Sequence, residues 1–200
     1  SDTEIMPLVN EQYTKVLKEE KVVTNTADGQ SVVRVGKKMA AAVEKYLTQE
    51  GYPELVKSFD WQFNLIQSEQ VNAWCMPGGK VAFYTGIMPI TQDETGIAVV
   101  MGHEIAHAVA SHSRERMSNG LAANFGISLI SSAVGQNPSL TQAILLQSVG
   151  IGSELGMLSF SRKHELEADE LGLIFMAVAG YDPRVAPVFW ERMSSAAGAA

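Results

Sequence analysis

The hydrophobic residues of the N-terminal quarter recur every three or four positions, which is typical of amphipathic helices. This spacing predicts a first helix over residues 3–20 and a second over residues 31–50, with a turn at Asp28-Gly29 between them. The Gly-Tyr-Pro sequence that follows should end the second helix, because glycine and proline both interrupt a helical backbone. Residues 1–58 are therefore expected to be helical.

Between residues 59 and 90 the period shortens to two, which predicts a small sheet. Residues 61–66 and 71–76 form the first two predicted strands. The turn Pro77-Gly78-Gly79 then leads into a third strand from Lys80 to Thr85.

An apolar helix is predicted over residues 91–117. Its start is marked by Thr91-Gln92-Asp93-Glu94, which has the form of a capping box in which the Thr91 hydroxyl accepts a hydrogen bond from the Glu94 amide. We expect this helix to continue to about Met117.

Residues 118–158 differ in composition, since no charged residue occurs from Met117 to Ser153. Gln136-Asn137-Pro138 divides this stretch, and neither half comfortably reaches the roughly 20 residues that span a bilayer. We expect buried helices or a helical hairpin packed near the apolar helix. A lid or a membrane-contacting surface over residues 117–153 is the alternative, because exposed apolar patches mark interaction sites.

Helical spacing returns in residues 159–200. Ser161 is placed to cap a helix that Gly180 ends, and Asp182-Pro183 should begin a last helix. The residues expected to face inward on the last helix are Val185, Val188, Phe189 and Met193. The whole pattern predicts one mostly helical α+β domain over residues 1–200.

Charge and cysteine content narrow the possible functions. The net charge of −7 excludes nucleic acid as the main partner, because phosphate binding needs a basic surface. Cys75 is the one cysteine, which excludes an internal disulfide and a thiolate metal cluster. The composition leaves a protein or peptide substrate open.

The sequence His103-Glu104-Ile105-Ala106-His107 carries the candidate chemistry. On a helix, residues four apart stack on one face, so both imidazoles can reach one tetrahedral Zn²⁺. Glu104 lies about 100° round the helix, where its carboxylate can take a proton from a water at the open metal position. The alternative is a pair of core histidines, although each buried polar group would then need another partner.

Two carboxylates on the predicted helix after Ser161 complete this site. Glu165 and Asp169 are four residues apart and share a face. A catalytic zinc takes three protein ligands, so a carboxylate from a second helix completes His103 and His107. Asp169 is placed to accept the outer N–H of a liganding histidine. A solvated helix face is the alternative for this pair.

These motifs resemble, in order, those of the gluzincin metallopeptidases that include the BepA-like periplasmic proteases, the HtpX-like heat-shock proteases and the CAAX prenyl proteases, a group of the peptidase family M48 type. The resemblance covers roughly residues 60–183. Its motifs are Asn72-Ala73-Trp74, Pro77-Gly78-Gly79, Tyr84-Thr85-Gly86, His103-Glu104-x-x-His107 and Ser161-Arg162-x-x-Glu165-x-x-Ala168-Asp169.

The resemblance implies a gluzincin-like zincin fold with a small three-stranded sheet and one Zn²⁺ per chain. It implies that His103, His107 and Glu165 are the zinc ligands. Glu104 would be general base and acid, and Asp169 would support a ligand. The implied function is a zinc-dependent endopeptidase in protein quality control, acting on proteins or peptides in a bacterial periplasm or at a membrane.

The resemblance also implies that an edge strand of the sheet aligns the substrate by β-augmentation. The strand expected to do so consists of Lys80, Val81, Ala82, Phe83 and Tyr84.

One departure concerns the group that stabilises the oxyanion. Family members often carry a His-Pro and a following Arg beyond the glutamate-bearing helix, whereas this chain has no histidine after His164. The candidates for that role are His164, Tyr181 and Arg184.

Two other functions remain open. A chaperone-like or peptide-binding module with a plugged or structural zinc site would more typically fill a fourth protein ligand. His164 is the nearby candidate for that ligand, but neighbours on a helix point about 100° apart. An aminopeptidase would need an acidic residue for the substrate amine, and no such signature stands out.

Overall fold

Helices and strands follow one another as the hydrophobic pattern predicts, with helices first, then the sheet, then helices again. The computed structural model describes residues 2–110 and 162–198, and the side chains of residues 6–110 and 162–196. The elements in these ranges are α1 (Asp2–Glu19), α2 (Ala27–Gln49), α3 (Pro53–Lys57), β1 (Gln62–Ile66), β2 (Ala73–Met76), β3 (Lys80–Tyr84), a 3-10 turn (Thr85–Ile87), α4 (Met88–Thr91), α5 (Glu94–Val109), α6 (Arg162–Ala179) and α7 (Val185–Gly198). The mostly helical α+β class is confirmed.

The helix α2 forms one wall of the core. Its apolar stripe is buried against the sheet, α5 and α6, as the helical spacing predicts. The buried residues of the stripe are Val32, Val35, Met39, Val43 and Leu47. Each fully buried Val or Leu side chain contributes about 1.5–3 kcal/mol, so this stripe is a main source of stability. The core thereby holds α5 in place between α2, the sheet and α6.

The strand order in the described residues is β1-β3-β2, which places β3 in the middle of the sheet. β3 pairs in parallel with β1 and antiparallel with β2, so both of its backbone edges are occupied. The prediction that this strand is the substrate-binding edge is therefore wrong. It fails for the whole set of Lys80, Val81, Ala82, Phe83 and Tyr84, all of which are buried.

The N-cap of the helix α5 lies two residues later than the capping-box pattern indicates. Asp93 is its N-cap, and the Oδ1 atom of Asp93 accepts a hydrogen bond of 2.9 Å from the Gly96 amide. Thr91 instead ends α4, and its hydroxyl donates to the carbonyl of Met88 at 3.0 Å. Gln92 has a φ of 65°, which is not a helical value and therefore separates α4 from α5. The extended capping conformation therefore falls on Asp93.

The ends of other elements also differ from the pattern. The helix α2 starts at Ala27 because Thr26 caps it, and its Oγ1 atom accepts from the Gly29 amide at 3.2 Å. In α7, Val188 is 54% exposed, so its predicted inward orientation is wrong, while Phe189 is buried. The short helices α3 and α4 were not predicted.

Several predictions lie outside the described residues. These are the hairpin or lid over residues 118–158, the membrane-contacting alternative over residues 117–153 and the Ser161 cap. The helix α5 itself ends at Val109, before the predicted end at about Met117.

Candidate active site

The helix α5 carries both histidines of the zinc motif on one face, one turn apart. The Nε2 atoms of His103 and His107 lie 3.2 Å from each other. Both side chains are buried, with 6% of His103 and 2% of His107 exposed, in a helix that is otherwise apolar. The helical spacing thus brings two nitrogen donors to a single point inside the protein.

Glu165 reaches the same point from α6. Its Oε2 atom lies 3.0 Å from Nε2 of His103, and its Oε1 atom lies 3.1 Å from Nε2 of His107. Ligand atoms of these three residues all fall within 4.8 Å of one another. The structure therefore brings together the three side chains that the sequence analysis selected as metal ligands.

A contact between two glycines allows α6 to come this close to α5. A Cβ atom added to Gly172 would lie 3.1 Å from the backbone carbon of Gly102 and 3.1 Å from the amide nitrogen of His103. A Cβ atom on Gly102 would lie 3.0 Å from the carbonyl oxygen of Gly172. Larger residues would separate the helices and withdraw Glu165 from the histidines. Sequence reasoning missed this contact, although an isolated glycine inside a helical pattern is a usable signal of close packing.

The electrostatics of the group favour a positive charge at the centre. Burial opposes a charged imidazole, but the contacts of His103 with Asp169 and Glu165, and the nearby Glu104, raise the pKa of His103 to about 10. Burial is the main cause that raises the pKa of Glu104 to about 7, with Glu165 adding to the effect and His103 opposing it. Converging lone pairs and carboxylates thus attract a cation, either a proton or a metal ion.

The donor set fits zinc. With Zn–N and Zn–O distances of about 2.0–2.2 Å, tetrahedral coordination places donor atoms roughly 3.3 Å apart. The observed separations between the histidine nitrogens and the Glu165 oxygens are 3.0 and 3.1 Å, and the two nitrogens are 3.2 Å apart. Two imidazoles with one carboxylate are also the ligands of a catalytic rather than a structural zinc.

Asp169 lies behind His103, one turn along α6 from Glu165. Its Oδ1 atom is 3.0 Å from Nδ1 of His103, which is the nitrogen that faces away from the converging donors. The contact has the distance of a hydrogen bond without its alignment. A carboxylate in this position favours the tautomer with a proton on Nδ1 and a free lone pair on Nε2.

Glu104 is a buried carboxylate of α5, the helix that packs against β2, and it is only 9% exposed. Burial first and Glu104 second raise the pKa of the Cys75 thiol in β2. The charges of His103 and Glu165 in turn act on the pKa of Glu104. Glu104 is therefore electrostatically coupled both to β2 and to the metal group.

Most of the sequence matches a family of peptidases. The model of peptidase family M48 matches residues 32–197. The chain belongs to peptidase family M48. The resemblance drawn from the motifs is thereby confirmed.

Related M48 proteins occur in eukaryotes and bacteria. The chain is 38% identical over 138 residues to the mitochondrial metalloendopeptidase OMA1 of Schizosaccharomyces pombe, covering 69% of this chain and 39% of that protein. It is 36% identical over 144 residues to OMA1 of Arabidopsis thaliana, covering 72% and 28%. It is 29% identical over 140 residues to the beta-barrel assembly-enhancing protease of Escherichia coli, covering 66% and 28%. The chain therefore spans well under half of the length of these relatives.

Two of the three oxyanion candidates in this M48 chain have described contacts with residues outside the metal group. Tyr181 lies under the Lys38 ammonium, 5.6 Å from the ring centroid. Burial first and Glu94 second raise the pKa of its hydroxyl. The role of Tyr181 at the oxyanion stays a prediction.

The Arg184 guanidinium is also engaged elsewhere. Its side chain is 88% exposed and its Nη2 atom lies 2.9 Å from the Asp182 carboxylate. Its role at the oxyanion therefore stays a prediction, with Asp182 as its partner in this structure. His164 is half-buried beside Glu165 in α6 and stays a prediction.

In residues 2–110 and 162–198, none of the helices is both long enough and apolar enough to cross a membrane.

Proposed function

We propose that this chain is the catalytic domain of a zinc-dependent endopeptidase. The observation that carries the proposal is the convergence of the buried His103 and His107 with the half-buried Glu165. The helix of the two histidines also carries the buried Glu104 next to His103. The family membership and the metallopeptidase relatives support the same reaction class.

The chain would supply the zinc ligands, the general base and the residue that orients a ligand. A zinc ion bound by His103, His107 and Glu165 would lower the pKa of a water towards about 7 and polarise the scissile carbonyl. Glu104 would take the proton of the attacking water and later give it to the leaving amine, and its burial favours a pKa above that of an exposed glutamate. Asp169 holds the His103 ring from behind so that Nε2 keeps its lone pair.

The strand β2, rather than β3, is the better candidate to align a peptide. In the described residues β2 pairs on one side alone, with β3. The Tyr84 amide donates to the Asn72 carbonyl, so by alternation the backbone groups of Ala73 and Cys75 point to the opposite, outer edge. Cys75 is also the residue whose thiol pKa is raised in part by the charge of Glu104. An extended peptide added to this edge would therefore run past the general base.

A peptide-binding module with a plugged zinc site is the second candidate. It is favoured by the burial of Ala73 and Cys75, which are 2% and 3% exposed. Because these two residues are buried, a peptide could pair with the outer edge of β2 only after the atoms around Ala73 and Cys75 had moved. Both candidates keep zinc, but only the endopeptidase uses Glu104 as a base.

The substrate class follows from the relatives. OMA1 of Schizosaccharomyces pombe is named a mitochondrial metalloendopeptidase, and the Escherichia coli relative is named for enhancing beta-barrel assembly. We extend to this chain a role in protein quality control, in a periplasm or at a membrane. Faster cleavage of an unfolded protein than of its folded form would support this role, and equal rates would count against it.

The test compares casein hydrolysis by the zinc-loaded chain and by Glu104→Gln. We expect Glu104→Gln to keep one zinc per chain and to lose roughly 10²–10⁴-fold in rate, because the general base is absent. Glu170→Gln, an exposed position on α6, is the control and should keep full activity. Unchanged hydrolysis by Glu104→Gln, after removal of contaminating protease, would contradict the mechanism. An inactive wild-type chain that still binds peptide would favour the plugged module.

A further inference from the structure

The indole of Trp190, in α7, packs against the His103 imidazole. The ring centroids are 5.0 Å apart and the planes are inclined by 63°, which is an edge-on aromatic contact. We propose that Trp190 is a positioning residue that fixes the orientation of the His103 ring for metal binding. This inference rests on the zinc site proposed above and assigns part of its affinity to a helix that supplies none of its ligands.

The His103 ring needs such a restraint. The terminal torsion of a histidine side chain is broad and roughly two-fold, so a ring held at one atom can still turn. Asp169 contacts Nδ1 at 3.0 Å without the alignment of a strong hydrogen bond. The neighbouring His107 ring lies at 4.8 Å and 84° and can move with the same helix. Trp190 adds a contact from a different helix.

Trp190 is itself firmly held. The adjacent Phe189 is fully buried, and its ring lies 5.0 Å from that of Trp190. One turn away from Phe189 in α7, the Arg192 Nε donates to the carbonyl of Ile90 at 3.1 Å. Ile90 belongs to α4, which directly precedes α5. The hydrogen bond from Arg192 thus ties α7, which carries Trp190, to the segment α4–α5, which carries His103.

The space around the contact leaves little freedom. Trp190, His103, Asp169 and Gly172 line a cavity of only about 10 Å³, bounded also by other residues of α5, α6 and α7. That volume is at or below the minimum that holds one water molecule. The packing therefore leaves little room for the His103 ring to turn while Trp190 stays in place.

The test measures zinc affinity of the full chain by competition with a chromophoric chelator, together with the free energy of unfolding of the metal-free protein. Trp190→Ala should weaken zinc binding on the order of tenfold, within the range found for partners that orient metal ligands. Trp190→Phe keeps an aromatic edge and should restore affinity to within about threefold of the wild type. Arg192→Met is the control, because it loosens α7 without removing the ring that contacts His103.

The outcomes separate positioning from general stability. Loss of zinc affinity in Trp190→Ala, with rescue by Trp190→Phe and wild-type affinity in Arg192→Met, supports the inference. Equal affinity in Trp190→Ala and wild type overturns it while leaving the zinc site intact. An equal loss in Arg192→Met and Trp190→Ala also overturns it, since docking of α7 alone would then explain the effect. A wild-type chain that binds no zinc overturns the metal site and the inference together.

Discussion

Buried charge is handled differently in two regions of this molecule. In the sheet, Lys80 is 1% exposed and its Nζ atom donates to the backbone carbonyl of Asp60 at 2.5 Å and to Oδ2 of Asp60 at 2.8 Å. The ammonium thus has its counter-charge within the chain, and this contact lowers the pKa of Asp60. At the metal group, by contrast, Nε2 of His103, Nε2 of His107 and the Glu165 carboxylate face one another, and all three offer acceptors once the two ring nitrogens have lost their protons.

This difference distinguishes a structural ion pair from a site that binds a cation. A donor matched to acceptors of the same chain needs nothing further. Acceptors that converge in a buried place repel one another unless a cation lies between them.

The largest expected effect is the loss of zinc when a ligand is removed. Glu165→Ala leaves two imidazoles, and zinc affinity should fall by more than the roughly 10–100-fold typical of a supporting residue. Lys80→Met should leave zinc affinity unchanged. Competition titration of both variants checks this, and zinc binding of wild-type strength in Glu165→Ala would break the distinction between the two regions.

The second effect is a dependence of stability on pH in the metal-free chain. Glu104 has a pKa of about 7 in the folded chain and His103 one of about 10, both above their unfolded values of 4.5 and 6.5. The folded state therefore binds more protons, and stability is lost as pH rises, through about 4.5–7 for Glu104 and 6.5–10 for His103. We expect a decrease on the order of 2–3 kcal/mol between pH 5 and pH 9.

Urea denaturation of the metal-free protein, in the presence of a chelator and at several pH values, measures this decrease in the free energy of unfolding. Glu104→Gln should abolish the part between pH 4.5 and pH 7 and retain the rest. Zinc should reverse the trend, because metal binding needs deprotonated histidines. A metal-free chain that gains stability from pH 5 to pH 9 would show that the group does not attract protons.

A smaller effect is expected from Gly172→Ala. The added methyl group would press on the backbone of Gly102 and His103, and such overpacking costs about 1–3 kcal/mol. The better helix propensity of alanine offsets up to about 1 kcal/mol of this. Zinc affinity should fall with the displacement of α6, whereas Val178→Ala, at an exposed position of the same helix, should leave it unchanged. Unaltered zinc affinity in Gly172→Ala would mean that the glycine contact does not set the reach of Glu165.

The smallest effect concerns the Lys80 pair itself. Lys80→Met removes two hydrogen bonds but also a buried charge, and the Asp60 side chain is 80% exposed and can return to water. We expect a loss of about 1–2 kcal/mol in the free energy of unfolding, measured by urea denaturation. Stability equal to that of the wild type would show that the pair merely offsets its desolvation cost.

Short-range periodicity explains why the ligands could be predicted from the sequence. His103 and His107 share a face because of the helical repeat, and so do Glu165 and Asp169. Tertiary packing decides whether the two faces meet, and the helical repeat does not predict it. The coordination number of zinc and the family resemblance predicted that the two faces come together. Glu165 was selected as the third candidate ligand because a catalytic zinc takes three protein ligands and because the family resemblance implies it.

Features that depend on lateral or distant contacts were not predictable in this way. Alternation identifies Lys80–Tyr84 as a strand, but nothing in a period of two says that it lies between β1 and β2. The Gly102–Gly172 contact and the Trp190–His103 contact each join separate helices. Even the start of α5 depended on Gln92, whose positive φ the capping-box pattern did not anticipate.

The most direct test of the central claim is anomalous X-ray diffraction at the zinc edge from crystals of the zinc-loaded chain. The account predicts one anomalous peak within coordination distance of Nε2 of His103, Nε2 of His107 and a carboxylate oxygen of Glu165, with no fourth protein atom in contact. A peak elsewhere, or a fourth protein ligand that closes the coordination shell, would contradict a catalytic zinc at this group.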